Sequence, residues 1–199
     1  MIDPSSSLPE ILDHVWGMLG RGAADKKHPY HFPALATYGP EEIQQRIVVL
    51  RQITRSERQL RSYSDARTQK IEDTRQHAEA HWLFYDHGSK EQIRARTRVT
   101  LHHQDSLAKE LWDKTPPKAR GDYVGPVAPG THTDAYTDNL PSAFEEEPTE
   151  ENTRQGFENF IVMNCEVTAL DFLKLRRDGH LRAQFYWQNG DWVSHWTAP

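Results

Sequence analysis

Gln92-Ile-Arg-Ala-Arg-Thr-Arg-Val-Thr-Leu101 sets Ile93, Ala95, Thr97, Val99 and Leu101 at every second position. Gln92, Arg94, Arg96 and Arg98 fill the places between them. A period of two belongs to a strand, whose successive side chains point to opposite faces. The stretch therefore reads as a β-strand in a sheet with one buried side and one polar, cationic side. Upstream, Trp82–Tyr85 reads as its neighbour across the His87-Gly88-Ser89 turn. Phe32–Tyr38, Arg46–Ile53 and Gln59–Tyr63 read as earlier strands, parted by the turns Gly39-Pro40-Glu41-Glu42 and Thr54-Arg55-Ser56-Glu57. Downstream, Phe160–Val167, Leu170–Leu175, Leu181–Trp187 and Trp192–Trp196 close the chain, the last two joined by the hairpin signal Asn189-Gly190.

Helical periodicity is confined to shorter pieces. Leu8, Ile11, Leu12, Val15 and Leu19 form one stripe over residues 7–19, with Gly20 and Gly22 expected to end the helix. Ser64-Asp65 reads as a helix cap before Ala66–Gln76, and residues 105–113 carry Leu107, Leu111 and Trp112. Residues 121–151 form a long acidic, Pro- and Gly-bearing loop, a functional excursion or a poorly ordered one. The pattern predicts one mainly β (α+β) domain over residues 1–199, an antiparallel barrel with peripheral helices, preceded by a helix and linker at 1–27.

Composition narrows the function. The chain has 199 residues, 36% hydrophobic and 27% charged, and its six Trp, seven Tyr and seven Phe supply much of the area a core can bury. No apolar run exceeds four residues (Ile47–Leu50, Trp82–Tyr85, Phe160–Met163), too short for a membrane span. No basic-then-apolar leader pattern is visible, so a soluble cytoplasmic protein is the expectation. The lone Cys165 excludes an internal disulfide and any multi-cysteine metal site. Net charge is −5, distributed as −3 over residues 1–45, +6 over 46–120 and −8 over 121–199. A basic middle between acidic flanks suits a local anion site better than a nucleic-acid-seeking surface.

Arg46-Ile-Val-Val-Leu-Arg51 reads as a buried strand bracketed by two guanidinium groups. Ser64-Asp-Ala-Arg-Thr-Gln-Lys70 places hydroxyls and cations at a helix start. A helix N-terminus offers unpaired N–H groups and the positive end of the dipole, and Arg and Lys add charge, so together they suit a phosphate. Ordinary capping beside surface arginines has the same outward pattern.

These two stretches, with Gln92-Ile-Arg at a strand start, resemble the pyridoxamine 5′-phosphate oxidase family of FMN-binding split barrels, in its broader oxidase-related branch. Asp171-Phe172, His180-Leu-Arg182, Trp192 and the closing Ala198-Pro199 agree in order, so the resemblance spans roughly residues 30–199. It implies a split β-barrel that binds FMN, works on a small-molecule substrate by hydride transfer to flavin N5, and forms a homodimer with both subunits contributing to each site. Arg46, Ile47, Val48, Val49 and Arg51 would line the flavin. Ser64, Arg67, Thr68, Gln69 and Lys70 would hold its phosphate, Gln92 would meet the ring edge, and His180 and Arg182 would contact substrate. The chain also departs from the family. A phosphate-binding Arg is replaced by Gln69, with Arg67 as the substitute. A Trp and an Arg expected from the partner subunit fall on Leu173 and Gln184, and the family's Arg-x-His is inverted as His180-Leu-Arg182. FMN binding survives these departures better than recognition of pyridoxamine phosphate.

Other signals carry less. His77 and His81 have helical i, i+4 spacing, but Glu79 would point away and no third ligand is evident, so no metal is expected. His102-His103 would face both sides of a sheet, Cys165 reads as a buried thiol, and Glu145-Glu146-Glu147 as solvated loop. Two rival readings remain: an FMN-storing protein without catalysis, and a nucleic-acid-binding barrel using Arg94, Arg96 and Arg98.

Overall fold

The structure, a computed structural model, describes residues 2–141 and 147–199. Nine strands among these residues form one antiparallel sheet: β1 (Ala34–Tyr38), β2 (Ile43–Ile47), β3 (Gln52–Thr54), β4 (Gln59–Asp65), β5 (Glu79–Asp86), β6 (Glu91–His103), β7 (Phe160–Lys174), β8 (Leu181–Gln188) and β9 (Asp191–Trp196). Their order is β2-β1-β5-β6-β7-β4-β3, with β8 also paired to β7 and β9 to β8. The alternation of β6 is realised: Ile93, Ala95, Thr97 and Val99 are buried while Arg94, Arg96 and Arg98 are exposed.

The sheet divides at β7. Its first half, Phe160 to Glu166, pairs with β4, and its second half, Ala169 to Lys174, pairs with β8. β6 runs along the other side of both halves, with a register shift that leaves Thr168 unpaired. The sequence suggests two strands here, and the structure corrects this to one 15-residue strand bulged at that position. The Thr168 hydroxyl donates to the Arg96 carbonyl at 3.2 Å and lies 3.3 Å from Arg96 Nε, satisfying polar groups that the bulge displaces.

Arg46–Ile53 is likewise not one strand. Residues 48–51 leave the β2 edge and cross to β3 at the opposite edge of the sheet. Val48 N–H donates to Pro33 O, Leu50 N–H to His31 O, and Arg51 N–H to Arg61 O. The segment closes the barrel by bonding first to one edge and then to the other, which no continuous pairing permits. Its apolar residues are not uniformly buried either: Ile47 is 63% exposed, whereas Val48 and Leu50 are buried.

The barrel interior holds Leu35, Leu60, Trp82, Phe84, Ile93, Met163, Phe172 and Phe185, joined by Ile11, Val15, Trp16 and Leu19 of α1 (Leu8–Ala24). Each such burial is worth roughly 2 kcal/mol. Ser7 and Glu10 also close a capping box at the start of α1, worth about 1 kcal/mol. Packing therefore dominates, and it carries the helix past Gly20 and Gly22, where the sequence suggests a stop. Gly22 is there for contact: a Cβ would lie 2.7 Å from Tyr30 Cβ. At the far side of α1, His14 Nε2 meets the buried Glu91 carboxylate at 2.8 Å, and Lys174 Nζ reaches the same carboxylate at 3.0 Å.

α2 (Gln69–Gln76) starts after Thr68, not after Ser64-Asp65, because those two residues remain paired to β7 as the end of β4. α3 (Ser106–Lys114) is capped by the Asp105 side chain and covers a second cluster of Trp112, Tyr123, Phe160 and Val162. Short helices α4 (Pro117–Arg120) and α5 (Glu150–Thr153) bracket the long loop. Its described part has structure: Asn139 exchanges two hydrogen bonds with the Val127 backbone and so pins the loop's base. Of the run Glu145-Glu146-Glu147, the first two lie outside the described residues. The Asn189-Gly190 hairpin forms between β8 and β9, with φ of +52° and +86° as its tight turn demands.

Candidate functional site

Cross-strand register assigns the predicted residues to the two faces of the sheet, since directly opposed residues share a face. Arg46 opposes Leu35, and Leu35 opposes Trp82, so Arg46 lies on the inner face. Ile47, opposed through Ala34 to exposed Leu83 and then Arg94, lies on the outer face. Gln92 is also outside, between Tyr85 and Leu173.

The inner-face group assembles around the start of α2. Arg46 donates to Thr37 Oγ1 at 2.7 Å and lies 4.0 Å from buried Asp73. Thr68 precedes α2 but makes no side-chain cap. Its hydroxyl donates to Asp65 O at 2.8 Å and sits 3.2 Å from Ser64 Oγ, while Lys70 Nζ donates to it at 3.3 Å. The Gln69 and Lys70 amides find no acceptor among the described residues. Ser64, Thr68, Lys70 and Arg46 thus stand with unspent N–H groups at a helix N-terminus, where the peptide dipoles favour an anion. Burial, and secondarily the Arg46 charge, pull the Lys70 ammonium down to about 8, against an opposing pull from Asp65. Burial also lowers Arg46, with Asp73 pulling it back.

Three predicted residues are engaged elsewhere. Arg67 spends its guanidinium on Asp65, through Nε at 3.0 Å and a terminal nitrogen at 2.6 Å, and on Gly125 O at 3.0 Å. The Gln69 amide turns back along the helix to Asp73 at 3.0 Å, leaving its backbone N–H for a ligand. Arg51 lies 5.5 Å over the Tyr63 ring, apart from Arg46, and its buried Nε has no partner. Val48 and Val49 belong to the crossing segment between the two arginines.

On the outer face, Arg182 chelates Asp171 at 3.1 and 2.8 Å. Arg94 and Gln184 each donate to the same carboxylate at 2.7 Å. These bonds hold Asp171 below the usual carboxylate range against the opposing effect of burial. His180 is exposed and its Nδ1 accepts from Arg176 N–H at 3.1 Å. With Pro4, Trp196 and Thr197, both candidate substrate residues line a groove of about 260 Å³. Arg94, offered to nucleic acid by the rival reading, is already paired.

His77 and His81 are not a helical pair: α2 ends before His77, and His81 lies in β5. Among the described residues, no group of three or more His, Cys, Asp or Glu side chains is placed to hold a metal ion. Burial raises the Cys165 thiol to about 12, as expected of a structural residue. No helix of the described residues is long and apolar enough to cross a membrane. Sequence reading missed Asp73 and noted Asp171 only for its place in the family order, since an isolated acid in a helix or strand looks like any surface acid until its neighbours in space are known.

Residues 14–103 match the family model of the pyridoxamine 5′-phosphate oxidase FMN-binding domain. No curated protein sequence matches the chain. A pyridoxamine 5′-phosphate oxidase-related, FMN-binding protein of Nostoc punctiforme shares the fold at a TM-score of 0.74 and 22% identity, with 94% of this chain and 96% of that one covered. PhzG of Burkholderia lata, solved with tetrahydrophenazine-1-carboxylic acid, shares it at 0.71 and 17% identity over 100% of this chain and 98% of that one. ChuZ of Campylobacter jejuni does so at 0.55 and 11%, over 95% of this chain and 63% of that one. The architecture is the split barrel, and FMN is the cofactor of the matched domain.

Proposed function

From a chain that carries a pyridoxamine 5′-phosphate oxidase-type FMN-binding domain over residues 14–103, we propose a flavin-dependent oxidoreductase, cytoplasmic and acting on a small molecule. The observation that carries this reading is the gathering of Arg46, Lys70, Ser64 and Thr68 around the free amides of α2. Two cations and the free amides of a helix N-terminus fit a phosphate monoester, all within the matched stretch, with the Ser64 and Thr68 hydroxyls beside them bonded to Asp65 O.

Bound FMN would supply a ring that accepts a hydride at N5 from a substrate lying against it. The chain's own residues orient and neutralise. Arg46 and Lys70 would balance the phosphate charge and the Gln69 and Lys70 amides would donate to its oxygens, while Ser64 and Thr68 could add hydroxyls only by turning them from Asp65 O. The 48–51 backbone would line the ring, whereas Gln92 stands on the opposite face of the sheet from this group. Arg182, held rigid by Asp171, and His180 are the proposed substrate contacts.

The outer face presents Ile47, Leu83 and Tyr85 with 63%, 41% and 42% exposure, an apolar row that supports a homodimer through this face. Residues 1–199 would then form one domain of a two-site dimer.

The test is an absorption spectrum of the purified protein before and after adding FMN and removing the excess. Flavin bands that stay with the protein, and weaken in Arg46→Ala and Lys70→Ala, support the reading. A colourless protein that retains no added FMN overturns it. Bleaching of the bound flavin by candidate reductants under anaerobic conditions separates an oxidoreductase from a protein that only stores the cofactor.

A further inference from the structure

Asp73 occupies the fifth position of α2 with its side chain sealed from solvent. A buried carboxylate is strongly penalised unless it is bonded and paired, so an acid at this place calls for a reason. Its two oxygens have separate partners. Oδ2 accepts from the Thr37 hydroxyl at 3.0 Å and lies 4.0 Å from the Arg46 guanidinium; Oδ1 accepts from Gln69 Nε2 at 3.0 Å. Arg46 in turn donates to Thr37 Oγ1 at 2.7 Å and, at 3.4 Å, to Leu35 O.

The carboxylate dictates the polarity of this chain of bonds. A hydroxyl has one proton to give, and an ionised carboxylate can only accept. The Thr37 proton is therefore committed to Asp73, and its lone pairs are left for Arg46. The same argument turns the Gln69 amide nitrogen inward, so that side chain serves Asp73.

We propose that Asp73 is a positioning residue of the anion site, holding the Arg46 guanidinium in place through the Thr37 hydroxyl. The inference rests on the anion-site reading above. It has a sign that plain electrostatics lacks. A negative charge close to a phosphate weakens phosphate binding, so if charge alone mattered, removing it would tighten FMN. If Asp73 positions Arg46, removing it loosens FMN.

Two variants separate these effects. Asp73→Asn keeps the volume but removes the charge and sets an NH2 against one of two donors. Thr37→Val keeps the carboxylate and its charge and removes the hydroxyl that joins it to Arg46, with both of that hydroxyl's bonds, so the test stands even where the first variant fails to fold. FMN affinity is read by quenching of flavin fluorescence, and Arg46 order by the heteronuclear NOE of its Nε–H in cofactor-free protein.

Each variant should weaken FMN about tenfold, the scale of one lost charge-assisted hydrogen bond. Neither should weaken it further in an Arg46→Ala background. The Arg46 NOE, high in the wild type, should fall in both. Tighter binding by Asp73→Asn, losses that persist without Arg46, or an Arg46 equally ordered in both variants overturns the proposal. A wild-type chain that does not retain FMN overturns the flavin reading alone, because the NOE decides the role of Asp73 without cofactor.

Discussion

His14 and Glu91 stand 77 residues apart in sequence and 2.8 Å apart in space, and their contact fastens α1 to the first residue of β6. Lys174 completes the cluster and also donates to Ile2 O at 3.1 Å. These bonds hold the Glu91 carboxyl below its ordinary range although burial works the other way. Glu91→Ala should cost about 3 kcal/mol, the low end for breaking a buried pair, because His14 and Lys174 keep some access to water. A depressed carboxyl stabilises the fold above its unfolded pKa, about 4.3, and loses that contribution as pH falls through the folded value. Urea denaturation at pH 7 and pH 3.5 checks both: the gap between wild type and Glu91→Gln should narrow at the lower pH.

If the anion site is as proposed, Lys70 should set the upper pH limit of FMN binding. With its ammonium near 8 in the free protein, FMN affinity should fall above that pH by up to about tenfold per unit. Lys70→Arg should flatten the profile, since guanidinium stays charged. The cofactor-free fold should show the opposite trend. A lysine pKa lowered on folding means that the unfolded chain binds more protons between about 8 and 10.4, so stability rises with pH there. Fluorescence titration and thermal melts across pH 7–10 measure the two slopes.

Gly20 and Gly22 should respond in opposite directions to alanine. A Cβ on Gly20 meets only Ile53 Cδ1 at 3.9 Å, so Gly20→Ala should stabilise by about 0.5–1 kcal/mol through helix propensity. Gly22→Ala would drive a methyl into Tyr30, with Cβ at 2.7 Å and backbone at 3.0 Å, and should destabilise by about 1–3 kcal/mol. Equal shifts in melting temperature would refute the packing role of Gly22.

Leu83 tests the outer face. Leu83→Asp places a charge in the middle of the exposed apolar row and should convert a dimer into a monomer in sedimentation velocity. Melting temperature should change little in cofactor-free monomer, because Leu83 is 41% exposed there. A monomeric wild type, or a dimeric variant, would sink the dimer reading.

The face alternation of β6 was legible because a period of two is a local property, and so was the Asn189-Gly190 hairpin. The break after Val167 was legible too, but its meaning was not: a gap in pattern looks the same whether a strand ends or bulges. Arg46–Ile53 misled because burial of Val48 and Leu50 comes from bridging two sheet edges, which no local pattern records. The cations and hydroxyls of the proposed anion site stood out in sequence by type. Asp73 did not, because what distinguishes it is Thr37 and Arg46, one or two strands away.

The division of β7 between β4 and β8 bears on how the protein is made. Ser64 and Asp65, which lead into the anion site, take their register from Ile161 and Phe160, almost a hundred residues later, and Ala66 N–H donates to Asn159 O at 2.7 Å. During synthesis the residues matched to the cofactor domain must therefore wait for β7 to leave the ribosome before β4 has its partner. Such distant pairing slows folding. A fragment ending at residue 103 would hold every residue of the proposed phosphate site and yet leave β4 and β6 with open edges, a template for aggregation. On the proposed site, the nascent chain completes its phosphate-binding end only when its last fifth arrives.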